Sequence, residues 1–395
     1  MYKIIAQNLP KFPSAVMIQP SSETTSNLSS IDDSTFLLES FVPQKDSIML
    51  GRLNEWFYRF YATKAFDQVF DTSASRGAPI VRLEAERFVR QLEQMDQHHK
   101  LPNEIIVYEI GCGNGRFASD YLASIEELRP DFYKKIRYSF CDFSLTILEE
   151  IKQSERMRTH LNNVEFIHMD ATKPLPFKKQ ALLIRCNELL DDLDQMQIIY
   201  KQGKDFYQAM VETRINPKAH FVTKNGEALP TKLVSSWLKT NSTQLSELDP
   251  SFVEQINIKL QRIKIANINN YPYGKLIQAS YANIANAEIP LNIGAFDFTA
   301  RVVQHLVPDY GQLVIYDYGI YSDSLEDENS IRTYGGQPTL NVNFFLLEKL
   351  IANLQKEYFC EVKKKSDIPL PNGLENVLTT NRSFYRLQVI APPQL

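Results

Sequence analysis

Gly111, Gly113 and Gly115 fall within five positions of "YEIGCGNGRF", directly after an apolar run and with Glu109 two residues ahead of the first glycine. A strand that feeds a helix through such a turn presents unpaired backbone N–H groups and the positive end of a helix dipole. Glycine there admits a ligand where a Cβ would collide, although a tight turn with no ligand would use the same residues. The spacing is not the GxGxxG dinucleotide fingerprint, since Arg116 and Phe117 follow Gly115, and no GK[ST] makes it a phosphate loop. Acids recur at later run ends: Asp142 in "FCDFS", Asp170 in "HMDATKPLPF", and Glu188, Asp191 and Asp192 behind Asn187 in "RCNELLDDLDQ". Asp142 and the Glu188 group each have two readings. Asp142 either binds hydroxyls or caps a helix, and Glu188 with its aspartates either forms a carboxylate cluster or caps the helix that follows. Carboxylates gathered in a cleft can position a cationic group, and the Asn187 carbonyl can orient an amine.

The elements that must position these residues are short β-branched or aromatic runs separated by helical segments: 104–110, 136–142, 164–170 and 181–187. Strands alternating with helices imply a parallel sheet with helices on its faces. A helix with Leu83, Phe88 and Leu92 on one side is expected from Ile80, ahead of the first strand. The alternation breaks after Gln195, where two strands flank "KQGK" and a polar, helical-looking segment runs from Thr231 to Gln261. It resumes with a helix and a strand at whose end Asp317 and Tyr318 are expected to border the same cleft as the other acids, and a strand pair closes the chain in "KEYFCEVKKK" and "RSFYRLQVI". The expected division is an N-terminal arm over 1–52, a first core segment over 53–194, an inserted hairpin and helical subdomain over 195–300, and completion of the core over 301–395.

Composition narrows the function. The 395 residues are 44% hydrophobic and 23% charged with a formal net charge of −4, so no global positive field exists to collect nucleic acid. No uncharged apolar run approaches the roughly 20 residues that span a bilayer, and no membrane partner is expected. Cys112, Cys141, Cys186 and Cys360 form no CxxC pair, and the six histidines show no metal spacing. These features lead us to expect a soluble cytoplasmic protein with reduced thiols and no bound metal. His168 reads as a strand residue, and Lys363 to Lys365 as a solvated strand end.

The glycine turn with Glu109 resembles motif I of the class I methyltransferases that use S-adenosylmethionine. That likeness implies an α/β Rossmann-like fold with a seven-stranded sheet. It places Glu109 and the three glycines along the methionine half of the cofactor, Asp142 on the ribose hydroxyls with Phe143 beside it, Asp170 and Ala171 at the adenine, and Asn187 at the end of the fourth core strand. "NELLDD" is similar to the NE[LF]xDA segment of the MidA-type family, whose mitochondrial members are arginine methyltransferases needed for assembly of respiratory complex I. Asn187, Glu188 and Asp191 match it, and the resemblance implies that they are catalytic. "FDTSAS" (70–75), "IYDYG" and "TLNVNF" resemble further family segments, so the likeness covers about residues 55–350. It implies a protein substrate and allows a homodimer. Asp192, Ile320 and Asn343 depart from the family pattern, and the cofactor half matches better than the substrate half. A small-molecule acceptor, or a binding and assembly factor without transferase activity, remains open at this point.

Overall fold

Runs that stay apolar on successive residues have no face to give to water, and in an α/β chain they form strands buried on both sides. The computed structural model describes residues 33–57, 78–321, 331–334, 337–354, 358–364, 367–368 and 384–392. The segment 70–75 lies outside them. In chain order the strands used below are β1 (Leu37–Pro43), β2 (Ile105–Ile110), β3 (Ile136–Asp142), β4 (Val164–His168), β5 (Leu183–Asn187), β6 (Met196–Gln202) and β7 (Asp205–Ile215). They continue as β8 (Ile256–Lys264), β9 (Asn286–Asn292), β10 (Gln312–Ile320), β11 (Val342–Asn343), β12 (Phe359–Lys364) and β13 (Phe384–Ile390). The helices are α1 (Ile48–Trp56), α2 (Ala78–Gln97), α3 (Arg116–Leu128), α4 (Leu145–Gln153), α5 (Thr231–Thr240), α6 (Ile293–Val302) and α7 (Phe344–Ala352).

The larger sheet has the order β12-β13-β10-β5-β2-β3-β4, with β11 also paired to β10. It therefore has eight strands where seven were expected, and the extra one is the two-residue β11. Strands β10, β5, β2, β3 and β4 run parallel, while β13 is antiparallel to both neighbours. The chain leaves β2 toward β3 and β4 on one side and later returns to build β5 and β10 on the other. Such a reversal opens a crevice at the carboxyl ends of the strands. Helices α2 and α3 cover one face with Phe88, Leu92, Phe117 and Tyr121, and α6 and α7 cover the other with Phe296, Phe298, Phe344 and Leu347.

Two expectations are corrected. The stretch from Leu37 to Trp56, assigned largely to the N-terminal arm, supplies strand β1 and helix α1. The insertion, expected as a hairpin with helices, completes a second, antiparallel sheet of five strands, in which β7 pairs with β6, β1 and β8, and β6 pairs with β9. The β6–β7 hairpin turns at Gly203, as "KQGK" predicts. Helix is right for Thr231–Thr240 but wrong for the end of that segment, where Ile256, Ile258 and Leu260 alternate toward the core and β8 pairs along most of β7. Among the described residues no helix is long and apolar enough to cross a membrane.

Candidate active site

The glycine turn leaves β2 at the point of chain reversal. Gly111, Gly113 and Gly115 have φ of +71°, +57° and +72°, a left-handed backbone that is strained for other residues. Their further roles differ. A Cβ on Gly111 would lie 3.2 Å from Leu189 Cδ1, and one on Gly115 only 2.9 Å from Ile151 Cγ2. Gly115 thus lets α3 start close against α4, without lining the crevice. Gly111 and Gly113 do line it, in a cleft of about 560 Å³.

The ends of β3 and β4 supply the next wall. Asp142 is buried at the cleft edge, its Oδ1 accepting from Ser144 N at 2.9 Å and its Oδ2 lying 3.8 Å from the Cys112 thiol. The cap of α4 is Ser144, whose Oγ accepts from Ile147 N, so the helix-cap reading of Asp142 falls. Phe143 leaves 56% of its surface exposed beside Asp142. Asp170 also lines the cleft, held by Thr172 through its backbone N–H at 2.8 Å and its hydroxyl at 2.7 Å. The Ala171 carbonyl accepts from Arg301 Nη2 at 2.8 Å.

The far wall is the turn after β5. Glu188 and Asp192 face the cleft, and Glu188 has a φ of +52°, uncommon outside glycine. The reading of these acids as helix caps fails, because the chain makes only a three-residue turn at Leu190–Asp192 with no side-chain cap. Asp317 of β10 holds that turn instead, its Oδ2 accepting from Leu189 N at 3.2 Å and Leu190 N at 2.7 Å while its Oδ1 accepts from Tyr318 N at 2.7 Å.

Four residues assigned to the site stand outside the cleft lining. Strand alternation turns Glu109 toward α3, where it accepts from the Tyr138 hydroxyl at 3.0 Å and lies 4.0 Å from Arg185 Nε. Asn187 points to the same buried layer and accepts from Arg185 Nη2 at 3.2 Å, while that guanidinium stacks 3.3 Å over Phe117. Asp191 is turned inward against the fully buried Asp317. Burial and the neighbouring carboxylates push Asp191 well above the usual carboxylate range, and burial pushes Asp317 up to about 7. Burial thus disfavours the charged form of both carboxyls, and Asp191 packs beneath the turn and not into the cleft. Gly115 is the fourth, for the packing reason given above. Asp317 and Tyr318, expected to border the cleft, do not line it either.

The departures from the family pattern separate in the same way. Asp192 is in the cleft and accepts from Gln337 Nε2 at 2.9 Å. Asn343 is fully buried, caps α7 and donates to the Pro290 carbonyl. Ile320 ends β10 away from the cleft.

Sequence reasoning missed the roof. Helix α1 brings Ile48, Gly51, Arg52, Asn54 and Glu55 over the crevice. It is fixed by Ser47 at its N-cap, by Gln44 accepting from Ile198 N at 3.0 Å, and by Trp56 donating to Asn241 at 2.8 Å. The available signal was Ser47 followed by Met49, Leu50, Leu53 and Trp56 at helical spacing.

A glycine cradle that a Cβ would fill, a buried carboxylate at the next strand end and an open aromatic face beside it fit a nucleoside joined to a small polar chain. Among the described residues no group of three or more His, Cys, Asp or Glu is placed to hold a metal ion. Residues 84–345 match the family described as "Putative S-adenosyl-L-methionine-dependent methyltransferase". No curated protein matches the chain. An uncharacterised superfamily protein from Burkholderia thailandensis has a similar fold, with 13% identity, a TM-score of 0.51, and 89% of this chain and 87% of that one covered. A second member of that superfamily from the same organism, bound to S-adenosyl-homocysteine, gives 13% identity and a TM-score of 0.49 over 88% and 92% of the two chains. The plantazolicin methyltransferase, in complex with a triazolic desmethylPZN analog and S-adenosyl-homocysteine, gives 10% and 0.39 over 87% and 96%. The family match spans well over half of the sequence and contains the glycine turn and every strand end of the cleft, and on that ground the chain belongs to the S-adenosyl-L-methionine-dependent methyltransferases, with S-adenosyl-L-methionine as its cofactor.

Proposed function

We propose that the protein is a class I methyltransferase of the MidA type that methylates an arginine side chain of a protein. The observation that carries this reading is a single cleft in which Gly111, Gly113, Asp142 and Asp170 face Glu188 and Asp192 across the point of chain reversal. The bound cofactor supplies an electrophilic methyl on a sulfonium. Gly113 makes room for the methionine portion, Asp142 accepts from the ribose hydroxyls, and Phe143 and Ala171 border the base. Glu188 and Asp192 orient a guanidinium nitrogen and bear its charge, since that group enters protonated, and the proton that this nitrogen loses as it gains the methyl passes to one of the two carboxylates and then to water. Orientation at near-attack distance supplies around 7–11 kcal/mol of the barrier, which makes positioning their main contribution. Asp191 keeps the turn in place and does not touch the acceptor.

The test is a lysate treated with the purified enzyme and labelled cofactor, followed by mass spectrometry. Methylated arginine on a small number of proteins is the expected result. Label on a metabolite would move the acceptor to small molecules, and cofactor binding without any label would favour an assembly factor that lacks transfer.

A further inference from the structure

A second cavity of about 510 Å³ adjoins the cleft. Ile48, Gly51, Asn54, Thr172 and Asp194 line both, so the two spaces meet at a neck beneath α1. The second cavity is bounded by Gln44 to Ser47 ahead of α1 and by Gly294, Asp297 and Arg301 on α6. Arg301 connects it to the cofactor side through its bond to the Ala171 carbonyl.

Asn54 stands out at the neck. It is only 8% exposed, and its Nδ2 reaches the Asp192 carbonyl at a long 3.5 Å. Its buried Oδ1 has no hydrogen-bond partner among the described residues. Exchanging the amide oxygen and nitrogen gives no remedy, because two carbonyl oxygens would then face each other and the NH₂ group would be unpartnered. A buried acceptor without a donor destabilises the fold, and most such atoms in folded proteins are satisfied. One helical turn earlier, Gly51 leaves the passage open, with no heavy atom within 4 Å of the place a Cβ would take. Across the neck Asp194 adds a carboxylate, with Lys173 close enough to act on its charge. In the second cavity Arg301 Nε is also buried without a partner, a donor suited to a carbonyl.

We infer that the second cavity holds the body of the methyl acceptor and that Asn54 accepts a hydrogen bond from an N–H of the acceptor at the neck. The inference rests on the nitrogen-acceptor reading above and adds to it a route and a binding residue outside the sequence signature. A chain carrying both N–H and carbonyl groups, as a peptide does, matches the two unpartnered atoms.

The experiment measures binding by calorimetry, so it needs no knowledge of the natural acceptor. Three probes are compared: S-adenosyl-homocysteine, an analogue in which nitrogen replaces its sulfur and carries an aminopropyl chain, and the same analogue with a trimethylammoniopropyl chain. The last two have equal charge, and only the aminopropyl chain donates. The aminopropyl probe should bind the wild type about tenfold more tightly than its trimethylated counterpart. Asn54→Leu should reduce that ratio to about threefold or less while leaving S-adenosyl-homocysteine affinity within about twofold. A ratio near one in the wild type, or an unchanged ratio in the variant, overturns the inference. Failure of S-adenosyl-homocysteine itself to bind would instead overturn the cofactor assignment. Should Asn54→Leu not fold, Gly51→Phe fills the neck without meeting other atoms at its Cβ. It should weaken both chain-bearing probes about tenfold more than S-adenosyl-homocysteine, and equal losses for all three would refute the route.

Discussion

The two sides of the cleft are built differently. The side we assign to the cofactor, from β2 through Ala171, comes from one continuous stretch in which each strand is followed closely by a residue that lines the cleft. The acceptor side gathers α1, the turn after β5, and, at the second cavity, α6, from segments more than 200 residues apart in the chain. The first is held by local turns and glycine backbone, and the second by a few long-range hydrogen bonds and one buried carboxylate pair. Damage to a local contact should therefore stay local. Damage to a long-range contact should move the whole acceptor wall.

Asp317→Ala should give the largest effect. It removes the acceptor from the backbone N–H groups of Leu189, Leu190 and Tyr318 and leaves Asp191 without its partner, a loss of about 3 kcal/mol or more. Denaturant titration should register it, and turnover should fall with it because Glu188 and Asp192 flank the released turn. Retention of wild-type stability would show that the turn is held by other means. The same pair predicts a pH dependence. The folded state raises the carboxyl pKa values above their unfolded range, so it binds protons more strongly than the unfolded chain. The stability this contributes is complete in acid and is lost as pH rises through about 7. Asp191→Asn keeps a permanent donor toward Asp317, and its melting temperature should fall less than that of the wild type between about pH 5 and about pH 9. Parallel curves would mean that Asp191 titrates as it does in the unfolded chain.

The contrast also explains what the sequence disclosed. That Gly111, Gly113, Asp142 and Asp170 line one cleft was legible because local spacing alone places them, a strand, its turn and the next residue. That Glu109 and Asn187 fall outside the cleft lining was not legible, because type and spacing do not reveal which face of a strand a side chain takes, and here both join Arg185 in a buried layer. Asp191 and Asp317 look like cleft acids in the sequence. Only packing of β10 beside β5 turns them toward each other. Helix α1 was invisible as a roof, since its place depends on Gln44 accepting from Ile198 N and Gln197 accepting from Lys45 N across some 150 residues.

On the cofactor side Asp142→Ala should act locally and less severely. A hydrogen bond to a charged group contributes about 1.5–3 kcal/mol, so the dissociation constant for S-adenosyl-L-methionine should rise roughly 10- to 150-fold. The melting temperature should change little, since Ser144 and not Asp142 caps α4. Loss of stability with unchanged cofactor affinity would reverse the assignment and erase the distinction between the two walls.

Glu188 tests where the walls meet, with the smallest expected effect on the fold. Its left-handed backbone is tolerated without glycine, and strain of that kind persists where the side chain is needed. Glu188→Gly relieves the strain but loosens the unfolded chain, so stability should shift by no more than about 1 kcal/mol in either direction. Glu188→Gln keeps both backbone and volume and should leave stability and cofactor affinity near wild type. Turnover should nevertheless fall at least about tenfold in both variants, because each removes the charge that faces the acceptor. If glutamine preserves turnover, the carboxylate is not what orients the acceptor, and Asp192 or Asp194 must carry that role. If glycine raises stability and preserves turnover together, the strain at Glu188 serves no function, and the acceptor wall begins further along the turn than the cleft geometry suggests.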